Sequence, residues 1–198
     1  MDAFSVQPWQ SHVDQLSRLL AGLAFSRAGG VPLETNAGFL EWRELTIGIR
    51  ERRDTIYMIG NGASASMASH FAADLSKNGR LHAQVFSDLS LITAISNDMG
   101  YEHVFAEPLR RRGRKGDMLV AISSSGRSPN ILAAVDAAEE LGLTVVTLSA
   151  KDAENPLRRR GHLNLYVAAE TYGLAETSHA AALHWWMDLV QMVDGKLS

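Results

Sequence analysis

The hydrophobic positions of the first fifty residues recur at helical spacing. Between residues 9 and 25 they follow an i, i+3, i+4 pattern, at Val13, Leu16, Leu19, Leu20 and Leu23. Residues 29–32 interrupt this pattern with Gly-Gly-Val-Pro, and a second pattern runs from about residue 34 to residue 52, with apolar side chains at Phe39, Leu40, Leu45 and Ile49. This part of the chain is therefore predicted to form two helices.

Short apolar runs alternate with helical patterns in the rest of the chain. The apolar runs predict five strands, at residues 55–59, 83–86, 118–122, 144–148 and 163–167. The helical patterns lie at residues 63–77, 89–95, 104–112, 129–141, 155–160 and 175–193. Such alternation is typical of a parallel sheet covered on both faces. We predict an α/β fold with a doubly wound, five-stranded parallel sheet flanked by helices, and two additional N-terminal helices outside it.

Length and charge limit what this domain can bind. The 198 residues fit a single domain with a full core, in which residues 1–53 form a helical extension and residues 54–198 the α/β core. The net charge of −3 gives no electrostatic reason to expect nucleic acid. The basic runs at residues 110–112 and 158–160 lie at predicted helix ends, where cations stabilise the helix C-terminus.

The absence of cysteine removes several kinds of chemistry. Disulfides and thiolate nucleophiles are excluded, so any metal site must use histidine, carboxylate or amide ligands. The sequence shows no signal peptide and no apolar run of membrane-spanning length. A cytoplasmic location is expected.

A serine-rich loop follows the predicted strand at residues 118–122. Ser128 and Pro129 resemble an N-cap followed by proline at the first helical position. An anion here would meet unpaired backbone N–H groups and hydroxyls from Ser123, Ser125 and Ser128. The alternative is a polar turn in which Ser128 only caps its helix. Four serines within residues 123–128 favour a phosphate site.

A glycine-rich loop, Gly60-Asn61-Gly62-Ala63-Ser64, follows the first predicted strand of the sheet. It begins like a dinucleotide-binding fingerprint, but residue 65 is alanine and no acidic residue stands about 20 positions further on. Ligands of doubly wound sheets bind beyond the carboxyl ends of the strands. We therefore interpret this loop as the second wall of a sugar-phosphate pocket.

Two helices carry candidate catalytic side chains. His70 and Asp74 are four residues apart, so they share one helix face and suit a metal pair or a base with its orienting partner. Glu176, His179 and His184 lie on the last helix. Glu176 and His184 are separated by about 12 Å of helical rise. They can contact one ligand if both side chains reach inward, if the helix begins irregularly, or if a neighbouring subunit contributes one of the two residues. His179 remains a rival to His184.

These segments together resemble the sugar isomerase (SIS) domain, and within it the phosphoheptose isomerases, which interconvert sedoheptulose 7-phosphate and a mannoheptose 7-phosphate. The matching segments are residues 60–64, 68–75, 96–101, 121–128 and 176–184, in the right order. The serine loop marks SIS domains generally. The His-Phe-Ala segment, the Asn-Asp-x-Gly segment and the C-terminal histidine point to the phosphoheptose group.

The resemblance implies a flavodoxin-like fold, a homotetramer with N-terminal helices in its core, and active sites at subunit interfaces. It implies that substrate binds at Asn61, Gly62, Ser64, Asp98, Ser123, Ser124, Ser125 and Ser128. Asp74 corresponds to the family's base, His184 to its acid, and Glu176 to an amide or carboxylate ligand. Some members hold zinc among the four positions His70, Asp74, Glu176 and His184.

Two carboxylates leave the identity of the base open. The usual base is glutamate where this chain has Asp74, and glutamine is frequent where it has Glu176. Our hypothesis is an aldose–ketose isomerase acting through an ene-diolate, with Asp74 or Glu176 as base, His184 as acid and zinc as cofactor. The alternatives are a SIS-fold protein that binds or senses sugar phosphate without chemistry, and an isomerase of hexose or pentose phosphates.

Overall fold

The computed structural model describes residues 8–192, which form seven α-helices and seven strands. The helices are α1 (Trp9–Ala21), α2 (Thr35–Arg52), α3 (Ala63–Lys77), α4 (Leu89–Asp98), α5 (Ala106–Arg112), α6 (Pro129–Leu141) and α7 (Tyr172–Met192). The strands are β1 (Ala24–Arg27), β2 (Val31–Leu33), β3 (Thr55–Gly60), β4 (His82–Val85), β5 (Met118–Ser123), β6 (Thr144–Ala150) and β7 (Leu163–Val167). Short 3₁₀ turns lie at Ala28–Gly30, Tyr101–His103 and Pro156–Arg159. The first seven residues of the predicted extension and the last residue of the final predicted helix lie outside this range.

The five predicted strands form the parallel part of one sheet. Its strand order is β2-β1-β7-β6-β5-β3-β4, and the pairs from β7 to β4 are all parallel. The chain order reverses between β3 and β5, which is the point where doubly wound sheets place their ligands. The glycine loop follows β3 and the serine loop follows β5. The predicted fold class is confirmed, and both loops stand where it requires them.

The first predicted helix and the strand count need correction. Helix α1 ends at Ala21, and the following residues form two antiparallel strands, β1 on the edge of β7 and β2 on β1. Leu23 and Phe25 are both buried and alternate with more exposed neighbours, a period of two that the longer helical pattern concealed. Gly38 makes room for this strand, because a Cβ there would lie 2.3 Å from the ring of Phe25. The sheet therefore has seven strands, and the extension is not purely helical.

Two apolar layers cover the sheet. One face packs against α2, α3 and α7, and the other against α4, α5 and α6. Trp42 of α2 stacks on Trp186 of α7 with 4.2 Å between ring centroids, and the indole N–H of Trp186 donates to Thr46 Oγ1 at 3.0 Å. Helices α3 and α7, which carry the candidate catalytic side chains, thus share one face. Within residues 8–192, no helix combines the length and apolar character needed to span a bilayer.

Candidate active site

The serine loop does not cap its helix in the ordinary way. Ser128 occupies the N-cap position of α6 with extended backbone, but its side chain makes no capping hydrogen bond. Its hydroxyl lies instead 3.3 Å from the hydroxyl of Ser123 at the end of β5. The hydroxyl of Ser124 is buried and has no hydrogen-bond partner within residues 8–192. Since a buried hydroxyl without a partner is costly, this arrangement favours an anion site over a simple polar turn.

The buried side chain of Asn155 packs against Gly126 of the serine loop. Gly126 has a φ of 61°, and a Cβ there would lie 1.9 Å from Oδ1 of the fully buried Asn155. The amide of Asn155 donates to the carbonyl oxygen of Asp152 at 2.7 Å, and the N–H of Leu157 donates to the carbonyl oxygen of Gly126 at 3.2 Å. The conformation of the loop is therefore fixed before any ligand arrives. Sequence reasoning missed Asn155, which immediately precedes the 3₁₀ turn Pro156–Arg159 and is distant from the serine loop along the chain.

The glycine loop approaches α3 closely. A Cβ on Gly60 would lie 2.5 Å from the carbonyl carbon of Ser64, so only glycine fits at the end of β3. Gly62 has φ 55° and ψ −125°, a conformation that side chains disfavour. These two glycines allow α3 to begin directly against the sheet and place Ser64 at the ligand edge.

A pair of asparagines joins the two loops. The side-chain amides of Asn61 and Asn130 donate to each other's oxygens, at 3.0 and 2.9 Å. The hydroxyl of Tyr101 donates to the same oxygen of Asn61 at 3.1 Å. Asn130 and Tyr101 had no predicted role, although Tyr101 ends the matching segment 96–101 and Asn130 lies in the predicted helix that follows the serine loop. The loops act as one unit because their polar side chains are bonded to each other.

The cleft between the loops has a volume of about 170 Å³ and brings together most of the predicted ligand-binding residues. Its walls are Asn61, Ser64, Ile122, Ser123, Ser124, Ser125, Ser128, Tyr172 and Glu176. Gly62 lines a neighbouring, more apolar cavity that shares Asn61 with the cleft. Asp98 is exposed at the end of α4, where it accepts a hydrogen bond from Asn97 at 2.8 Å, and it is not part of the cleft wall.

The remaining predicted residues form a separate histidine cluster of His70, Asp74 and His184. Nε2 of His70 lies 3.3 Å from Oδ2 of Asp74, as the spacing on α3 predicts. The rings of His70 and His184 are 5.7 Å apart between centroids, and both histidines are exposed. The structure therefore joins α3 and α7 at a polar surface cluster, while Glu176 lies two turns earlier on α7, at the serine cleft.

The four predicted zinc donors are not gathered within one chain. Two imidazoles and two carboxylates suit zinc chemically. Among residues 8–192, however, no three histidine, aspartate or glutamate side chains are placed to hold a metal ion. The zinc site stays a prediction.

His179 is a packed core residue. It is fully buried, its Nε2 donates to the carbonyl oxygen of Ser149 at 3.1 Å, and burial lowers its pKa to about 4. It is neutral at neutral pH and does not line the cleft. This placement favours His184 over His179 as the acid.

Burial of neutral His179 predicts a pH-dependent stability. Its pKa is lower in the folded chain than the ordinary 6.5, so between about pH 6.5 and 4 the unfolded chain binds more protons. We expect acidification across this window to remove about 1 kcal/mol of stability per pH unit through this group. Urea unfolding of the wild type and of His179→Gln at pH 4.5 and 6.5 measures it. The variant should show the shallower pH dependence, the surface control His103→Gln should behave as wild type, and equal slopes for all three would contradict the assignment.

The chain is similar to known proteins in both sequence and fold. A profile of the SIS domain matches residues 44–150. A phosphoheptose isomerase from Helicobacter pylori is 35% identical over 153 residues, which cover 74% of this chain and 79% of that relative. One from Streptomyces coelicolor is 40% identical over 131 residues, covering 63% of this chain and 56% of that relative. The structure of a phosphoheptose isomerase from Neisseria gonorrhoeae superimposes with a TM-score of 0.80 at 28% identity, covering 92% of this chain and 96% of its own.

Proposed function

The chain belongs to the SIS domain family, as a phosphoheptose isomerase, and from this premise we propose that it converts sedoheptulose 7-phosphate into D-glycero-D-manno-heptose 7-phosphate in the serine cleft. The observation that carries the proposal is the composition of that cleft. Serine hydroxyls at a helix N-terminus and the carboxylate of Glu176 line one space, at the point where the strand order reverses. An anion anchor and a proton acceptor therefore face the same ligand.

The phosphate is held at the start of α6. The hydroxyls of Ser123, Ser125 and Ser128 donate to its oxygens, and the first N–H groups of the helix add favourable partial charge. Asn61, Gly62, Ser64 and Asp98 contact the sugar chain as it extends from this anchor. Because no lysine or arginine of residues 8–192 lines the cleft, the substrate is held by neutral donors.

The reaction moves one proton between neighbouring carbons. A base removes a proton from C1 of the ketose while an acid protonates the carbonyl oxygen on C2, which gives an ene-diol. Return of the proton to C2, with loss of the proton on O1, leaves the aldehyde at C1. We assign the acid to His184 and the base to Asp74 or Glu176. His70 orients Asp74 through their 3.3 Å contact.

The separation of Glu176 from the histidine cluster supports an active site built from two chains. Helix α1 buries none of its residues, and Trp9, Val13 and Trp185 are exposed on or near the α1–α7 pair. We propose that these faces meet in a homotetramer, and that the histidine cluster of one subunit faces the serine cleft of another. A zinc site would likewise need donors from two chains. The cytoplasmic location stays a prediction.

Mixing two inactive variants tests the two-chain site. We expect Glu176→Ala and His184→Gln to be inactive alone and to regain part of the wild-type activity when they are co-expressed, because some interfaces then combine two intact halves. Co-expression of His70→Gln with His184→Gln is the matched control. Those defects lie in the same cluster, so no intact cluster can form and no activity should return. Failure of the first pair to recover would contradict the interfacial site.

Direct observation of the product tests the function itself. Incubation of the purified protein with sedoheptulose 7-phosphate should produce the NMR signals of an aldoheptose phosphate, and His184→Gln should not produce them. Metal content is measured in the same preparation, and the reaction is repeated after addition of zinc. Absence of an aldose under both conditions would favour a sugar-phosphate-binding protein. Faster conversion of pentose or hexose phosphates would overturn the heptose assignment.

A further inference from the structure

A second cavity lies at the opposite edge of the sheet from the serine cleft. Its volume is about 490 Å³, and its walls include the first residues of β3, Asp117 immediately before β5, side chains of β4, and the end of α5 with the segment that follows it. The serine cleft lies beyond the last residues of the same two strands, β3 and β5. The two cavities therefore occupy opposite ends of one strand pair.

Basic side chains dominate this second cavity. Its walls contain five cationic residues and two carboxylates. Arg111 is paired with Glu107 on its own helix. The other four cations form no ion pair with any carboxylate of residues 8–192: Arg53, Arg112, Arg114 and Lys115. A concentration of unneutralised positive charge is unusual in a chain whose net charge is −3.

The two carboxylates of the cavity are already engaged. Asp54 binds the guanidinium of Arg52 at 2.7 Å. The oxygens of the buried Asp117 accept hydrogen bonds from the backbone N–H groups of Thr55 and Arg114, both at 2.8 Å. Asp117 thereby fixes the starts of β3 and β5 and the segment that bears the cations. Neither carboxylate forms an ion pair with the four exposed cations beside it.

The position of these cations at helix ends explains only part of the cluster. Arg111 and Arg112 close α5, where positive charge stabilises the helix terminus. Arg114 and Lys115 come after the helix has ended. Arg53 arrives from the end of a different helix, α2, and has a left-handed φ of 61° at a position where glycine is usual. Separate parts of the chain thus bring positive charge to one cavity.

We propose that this cavity binds a small polyphosphate, either inorganic or part of a nucleotide. Guanidinium groups bind phosphate oxygens through paired, charge-assisted hydrogen bonds, and several linked phosphates match several cations on different walls. The volume suits a small molecule. A nucleic acid is disfavoured because the chain is acidic overall. The serine cleft binds a single phosphate through neutral hydroxyls, so the two sites differ in chemistry.

Titration calorimetry with inorganic pyrophosphate tests the proposal. We expect the double substitution Arg112→Gln, Arg114→Gln to weaken binding about tenfold or more, and added salt to weaken wild-type binding. The matched control is Lys77→Gln, Arg80→Gln, which removes the same charge from outside the cavity and should bind as wild type. Equal weakening in both double variants would overturn the proposal, because binding would then follow net charge alone.

A third variant separates the two anion sites. Ser128→Asp places a negative charge in the serine cleft and should repel phosphate from it, while pyrophosphate binding at the basic cavity persists. If Ser128→Asp removes all pyrophosphate binding and the arginine substitutions remove none, the serine cleft is the sole polyphosphate site and the proposal is wrong. Circular dichroism of each variant confirms that the comparison is made between folded proteins.

Discussion

Replacement of His184 by glutamine is expected to lower kcat by about 10²- to 10⁴-fold while phosphate binding is unchanged. Glutamine keeps a polar side chain of similar length at an exposed position, so the fold has no reason to change. It cannot supply the proton that the carbonyl oxygen needs, and the barrier for forming the ene-diolate rises. Steady-state kinetics with sedoheptulose 7-phosphate give kcat, and competitive inhibition by inorganic phosphate reports on the serine cleft.

The control for this prediction is His103→Gln. His103 is a surface histidine near Glu102, with 3.9 Å between Nε2 and Oε1, and it lies outside the cleft. Its replacement should leave kcat and phosphate inhibition at wild-type values. A His184→Gln enzyme that turned over normally would remove the acid assignment. Weaker phosphate inhibition with normal kcat would instead assign His184 to binding.

Gly126→Ala is expected to destabilise the protein by about 3 kcal/mol or more and to raise KM sharply. The substitution combines left-handed backbone strain, about 1 to 2 kcal/mol, with overpacking against a buried side chain. Its Cβ would lie 1.9 Å from Oδ1 of Asn155, so either Asn155 or the serine loop must move. Because Asn155 is fully buried, we expect the loop to move and the phosphate anchor to be lost. Urea unfolding and substrate kinetics measure the two effects.

The control variant Gly29→Ala distinguishes the cost of left-handed backbone strain from the cost of the steric clash with Asn155. Gly29 also has a left-handed φ, 74°, but a Cβ there would meet nothing within 4 Å. The control should lose only about 1 to 2 kcal/mol and keep the wild-type KM. If both variants lost the same stability and kept normal KM, the contact between Gly126 and Asn155 would have no part in shaping the serine loop.

The parallel sheet could be predicted because its signals are local. Each of its five strands is a short apolar run, and the serine and glycine loops each follow a strand directly in sequence. The hairpin of β1 and β2 could not be predicted in the same way, since β1 is stabilised by pairing with β7, more than 130 residues later. A four-residue strand beside a helical pattern has too little periodicity of its own to be recognised.

The site was predictable in its residue types and less so in its arrangement. The i, i+4 spacing of His70 and Asp74 gave their contact, and the resemblance supplied roles for Glu176 and His184. No local pattern indicates that Asn155 shapes the serine loop or that Asn61 and Asn130 pair across 69 positions, because such bonds depend on how distant loops meet. The separation of Glu176 from His184 follows from the continuity of α7 from Tyr172 to Met192, which spacing alone left open.

The stacked pair of Trp42 and Trp186 sets the rotation of α7 about its own axis. Trp186 is fully buried two positions after His184, so a helix that keeps this indole in place must direct the imidazole toward α3. Trp42 and Thr46 belong to α2, within the N-terminal extension. Loss of the contact with α2 would therefore leave the parallel strands and their ligand loops in place and allow the helix with the proposed acid to turn. Helix α2 of the N-terminal extension thus orients the helix that carries the proposed acid.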